Sequence, residues 1–78
     1  MSSIPVIKSK DFYKLLLKFG CVAVSVRGSH HKIRNPGTGK TSTIAVHTNK
    51  DAGVGTFSVT LSQLGIDTNE FLEFMQNQ

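Results

Sequence analysis

Hydrophobic residues recur along this chain at two different periods. Phe12, Leu15, Leu16 and Phe19 fall at i, i+3, i+4 and i+7, the spacing of one helical face, and Gly20 follows directly. Ser9 stands where an N-cap belongs and Asp11 in the first turn, so the spacing predicts an amphipathic helix ended by Gly20. Lys10, Lys14 and Lys18 form a stripe on its polar side. From Cys21 to Val26 the period drops to two, with valine at every second position, as in a half-buried strand. Arg27-Gly28-Ser29 reads as a turn, His30 to Arg34 as a second strand, and Asn35-Pro36-Gly37-Thr38-Gly39 as a loop before a third strand, Thr41 to His47. The three strands are expected to form an antiparallel meander.

Helical spacing then returns. Beyond a polar loop, Thr48 to Gly53, a second helix is predicted from about Gly55-Thr56 to Gly65, with Phe57, Leu61 and Leu64 as its buried stripe. Asp67-Thr68-Asn69-Glu70 has capping-box form and opens a last helix carrying Phe71, Leu72, Phe74 and Met75. The order is αβββαα: an α+β fold in which a three-stranded antiparallel sheet carries helices on one face. Residues 1–8 read as an extended leader, and 1–78 as one domain. The five phenylalanines sit at helical positions suited to a core.

Strand parity sorts the chemistry. If Ile33 points to the core, His31 points with it, and His30, Lys32 and Arg34 share the opposite face. In the third strand Ile44 and Val46 take the core, which leaves Thr43, Ala45 and His47 on the His30 side.

Charge adds a direction to this picture. All nine Lys and Arg residues lie between Lys8 and Lys50, so residues 1–50 carry a net +8 and residues 51–78 a net −4. Such an excess suits a polyanionic partner. At 78 residues the chain has little room for a deep pocket, and its size does not suit a doubly wound dinucleotide fold, which usually needs a longer chain. The single cysteine, Cys21, forbids an intramolecular disulfide and alternates with valines, which points to packing rather than a reactive thiol. With no signal-peptide pattern at the N-terminus, a cytoplasmic location is expected. The lysine-bearing helix is short and its apolar face is needed inside, so no membrane role is expected.

Two motifs compete in Gly28 to Thr41, GSHHKIRNPGTGKT. GTGKT resembles the end of a phosphate-binding loop, but the eight-residue window begins at Arg34 instead of glycine and runs into a strand instead of a helix. His30 and His31 point to opposite faces of a strand and do not suit one metal ion, and the chain lacks the spacing of a zinc site, so no metal and no cofactor are expected. His31 reads as a partly buried histidine with its hydrogen bonds satisfied. His30, exposed beside Lys32 and Arg34, has the chemistry to move a proton near neutral pH next to a bound phosphate.

At these residues the chain resembles the HicA toxin family, the small mRNA interferases of HicAB toxin–antitoxin systems. The carriers are a helix ending in KFG, then GSHHKIRNP, TIAVH and DAGVGTFSVTLSQLGIDTNEFLEFM, together covering about Ser9 to Met75. The resemblance implies a fold like the double-stranded-RNA-binding domain. It also implies a metal-independent endoribonuclease activity that cleaves mRNA and arrests translation, with the catalytic histidine placed immediately after the Gly28-Ser29 turn. His30 matches that position, with His31 and His47 as lesser candidates. Lys32, Arg34, Lys40, Lys10 and Lys14 are expected to bind RNA. The implied partners are mRNA and a HicB-like antitoxin covering the His30 face. The alternative is a non-catalytic RNA-binding module of the same fold.

Overall fold

The computed structural model of the chain describes residues 6–46 and 51–78. Three helices and a three-stranded antiparallel sheet enclose one core, as the two hydrophobic periods require. In chain order the elements are β1 (Ile7–Lys8), α1 (Ser9–Phe19), β2 (Val22–Arg27), β3 (His30–Arg34), β4 (Thr41–Ala45), β5 (Asp51–Ala52), α2 (Val54–Leu64) and α3 (Thr68–Gln76). The main sheet runs in the order β2-β3-β4.

All three predicted helices are present, each displaced by at most a residue or two at its start. In α1 Ser9 is the first helical residue and buried, so the N-cap position falls to Lys8 rather than to Ser9. In α2 the N-cap is Gly53, and Gly65, at φ +70°, closes the helix in the left-handed conformation. In α3 the carboxylate of Asp67 accepts the Glu70 backbone N–H at 3.0 Å, which is the capping contact that the sequence predicts.

Phe12 and Leu16 of α1, Ile33 and Ile44 of the sheet, Phe57, Leu61 and Leu64 of α2, and Phe71 of α3 are all fully buried together. Phe71 is the hub of the aromatic cluster. Its ring meets Phe12, Phe19, Phe57 and Phe74 at centroid distances from 5.2 to 5.9 Å, three of the four edge-on. The phenylalanines therefore serve the core.

Two features differ from the sequence expectation. The leader and the polar loop are joined: Ile7 pairs with Ala52 and Lys8 with Asp51 in a second, two-stranded antiparallel sheet. Each segment has too few residues to signal a strand by itself, and only the pairing between them defines it. The other difference is β2. Val22, Val24 and Val26, expected to be half-buried on one face, are 45%, 51% and 55% exposed. The strand lies at the edge of the sheet, and its alternation is broken.

The pairing of β2 with β3 shows how. Val22 lies opposite Arg34 and Ala23 opposite Ile33; the register then shifts, so that Ser25 faces Lys32, Val26 faces His31 and Arg27 faces His30. Val24 is the inserted residue of a β-bulge. In an unbroken strand Cys21 and Arg27, six positions apart, would share a face. The bulge lets Cys21 enter the core while Arg27 stays on the opposite side of the sheet.

Candidate active face

The β2–β3 connection determines the site. Gly28 and Ser29 form a two-residue hairpin turn with Gly28 at φ +56°, a conformation that glycine adopts at little cost. The turn was expected to include Arg27; instead Arg27 is the last residue of β2 and pairs with His30. The backbone N–H of Val46 donates to the carbonyl of Ser29 at 2.7 Å, which ties the turn to the end of β4.

Pairing then lays side chains out in rows on the face away from the helices. Arg27, His30 and Ala45 form one row, Ser25, Lys32 and Thr43 the next, and Val22, Arg34 and Thr41 the third. Every one of these residues is exposed. A shallow groove of about 340 Å³ lies across the first two rows, lined by Ser25, Arg27, His30, Lys32 and Thr43. No acidic residue occurs in β2, β3 or β4. The face therefore presents Arg27, Lys32 and Arg34 around one imidazole with no acidic side chain on the same strands, a setting that attracts phosphate.

The parity expectations for β3 and β4 hold: His30, Lys32 and Arg34 share the exposed face with Thr43 and Ala45, while Ile33 and Ile44 are buried. His31 points the other way. Its ring meets Tyr13 of α1 at 4.6 Å, inclined by 61°, but it is not the satisfied histidine expected from the sequence: its Nδ1 is buried with no hydrogen-bond partner among the described residues. Lys40 is exposed at the end of the β3–β4 loop, away from the groove lining. Lys10 and Lys14 are exposed on α1, the helix that covers the His31 side of the sheet, so the fold does not gather them with His30. His47 lies outside the described residues.

Arg27 and Ser25 line the groove without having been singled out by the sequence, and Thr43, placed on this face by parity, was not assigned to the site. A two-residue Gly-Ser turn, instead of a three-residue one, is the signal that identifies Arg27 as the partner of His30.

The GTGKT motif has a structural task. The Asn35 side chain accepts the Gly37 N–H at 3.1 Å in a local turn, and the Gly39 N–H returns to the Asn35 carbonyl at 2.7 Å. The loop then caps α2: Asn35 Nδ2 and Thr38 Oγ1 both donate to the Leu64 carbonyl, at 2.9 and 2.8 Å. It satisfies the carbonyl end of a helix, whereas a phosphate loop presents N–H groups at the opposite end. Among the described residues no three His, Cys, Asp or Glu side chains are grouped as ligands for a metal ion. None of the described helices is long and apolar enough to cross a membrane.

Fold and face together define a small α+β domain whose sheet presents a basic, histidine-bearing surface opposite its helices. Residues 9–66 match the family model described as the HicA toxin of bacterial toxin–antitoxin systems, and the chain belongs to that family of toxins. No curated protein matches the chain. No solved structure does so either.

Proposed function

We propose that the chain is an endoribonuclease that cleaves mRNA with His30 as its general acid or base. The observation that carries this reading is the position of His30, exposed directly after the Gly28-Ser29 turn and within a groove lined by Arg27 and Lys32. RNA carries its own nucleophile. As the 2′-oxygen bonds to phosphorus and the phosphorus–O5′ bond breaks, one proton leaves the 2′-hydroxyl and another joins O5′. An imidazole suits either transfer near neutral pH. Lys32 and Arg34 hold phosphates of the strand, and Gly28-Ser29 presents the imidazole. Lys40, Lys10 and Lys14 add sequence-independent attraction at longer range. A HicB-like antitoxin that covers this face blocks RNA from it, and the setting for both is the cytoplasm.

The test is cleavage of a mixed-sequence single-stranded RNA by the purified protein in EDTA, with His30→Ala, His31→Ala and His47→Ala run beside it. Loss with His30→Ala and retention with His31→Ala, in folded proteins, is the expected result. Loss with His47→Ala as well would identify the second proton carrier. Salt-dependent RNA binding with no cleavage by any of the four would instead leave a non-catalytic RNA-binding module.

A further inference from the structure

We infer that Arg27 is a further catalytic residue of this face. Its guanidinium binds the non-bridging oxygens of the phosphate on which His30 acts, while Lys32, between the Ser25 and Thr43 hydroxyls, holds the neighbouring phosphate of a single strand. The assignment rests on the nuclease reading of His30 and adds to it the group that stabilises the transition state.

Three observations carry it. Arg27 is the cross-strand neighbour of His30, and directly opposed residues in an antiparallel pair have Cβ atoms about 5 Å apart. The two side chains leave the same face and line the same groove. Charge on the non-bridging oxygens must be met while the new bond forms and the old one breaks, and the planar guanidinium fork can meet both oxygens at once, as an ammonium cannot. Lys32 stands in the next row, one strand repeat of about 7 Å away, and Arg34 in the row beyond. The row nearest His30 thus contains one cation only, Arg27, and its third member, Ala45, supplies no donor.

The bulge matters here because it relieves a conflict between core and site. With Val24 inserted, Cys21, immediately before β2, is buried and Arg27 still turns toward the groove. Residue 26, opposite His31, is on the helix side of the strand yet 55% exposed, so it can take a charged side chain. The exchange of the two neighbours, Val26→Arg with Arg27→Val, therefore preserves composition and net charge while moving the guanidinium to the other face.

The experiment compares wild type, Arg27→Ala, Arg27→Lys and the exchanged double variant by two readouts. One is the kcat and KM for cleavage of single-stranded RNA. The other is the salt dependence of binding to a 2′-O-methyl RNA of the same sequence, which lacks the nucleophile. Loss of one transition-state donor should lower kcat about 100-fold in Arg27→Ala and in the double variant, with partial recovery in Arg27→Lys. The slope of log affinity against log salt should fall by about one in Arg27→Ala. Unchanged kcat and slope in variants of a cleaving wild type would overturn the role of Arg27 and leave His30 in place. If the wild type does not cleave but Arg27→Ala still flattens the salt slope, the phosphate contact stands and the nuclease reading falls. A double variant as active as wild type would show that only the overall charge matters and would also overturn the proposal.

Discussion

The hydroxyl of Thr38 donates to the carbonyl of Leu64 across 26 positions of sequence, at 2.8 Å. The loop that looks most like a nucleotide-binding motif is thereby committed to closing α2. Because Asn35 Nδ2 donates to the same carbonyl at 2.9 Å, Thr38→Val leaves Leu64 with one partner. The loss should be about 1 kcal/mol, or some 4–8 °C in melting temperature for a domain of this size. Asn35→Ala removes the local turn as well and should cost more. RNA cleavage at assay temperature should be unaffected by Thr38→Val, since the contact lies outside the groove.

Gly65 faces the same loop. Its φ of +70° disfavours any side chain, and a Cβ there would lie 2.9 Å from Thr38 Cγ2. Gly65→Ala is expected to cost at least 1–2 kcal/mol from backbone conformation alone, with crowding added. Combining it with Thr38→Ser, which deletes the crowding methyl but keeps the hydroxyl, should recover part of the loss. A strictly additive double-mutant cycle in urea denaturation would show that the crowding is relieved by other movements.

His31 is the histidine that packs. The buried Nδ1, which has no partner among the described residues, is a cost that phenylalanine does not carry, and the edge-on contact with Tyr13 suits either ring. His31→Phe should therefore match or exceed wild-type stability, by up to about 1 kcal/mol, and keep cleavage. Thermal melts and the RNA assay check both, and lost cleavage in a folded variant would return His31 to the candidate site.

Burial raises the pKa of the Cys21 thiol. A buried neutral thiol resists ionisation, so the unfolded chain deprotonates first as the pH passes the ordinary range near about 8.5. In that window the folded state binds more protons and its stability falls as pH rises; below it the contribution is constant. Urea denaturation from pH 7 to pH 10 should show a steeper decline for wild type than for Cys21→Ala, in which other titrations are unchanged. The thiol should also react with a colorimetric disulfide reagent only on unfolding.

Deleting Val24 would remove the bulge while keeping Cys21 opposite in face to Arg27, because the separation becomes odd. Cleavage should survive in this variant. The straightened edge of β2, with its exposed valines, should self-associate more readily, visible as a shift in light scattering or gel filtration. Lost cleavage in a folded deletion variant would show that the local twist, not only the face, positions Arg27.

The sequence by itself determined the features that depend on neighbours in the chain. Period-3.6 spacing identified α1, α2 and α3, and the Asp67 cap was readable because the contact spans three residues. Alternation in β3 and β4 placed His30, Lys32 and Arg34 on one face, since an unbroken strand has a fixed period of two. Tertiary structure decided what depends on partners distant in sequence. The bulge at Val24 exists only in relation to the register of β3, and two-residue β1 and β5 are strands only because they pair. The Asn35–Lys40 loop gained its task from the end of α2, which follows it by more than twenty residues. Arg27 became the neighbour of His30 through the length of the turn between them. Valine alternation could not report that β2 is an edge strand, because burial is set by the helices that reach over a sheet and here they leave β2 exposed.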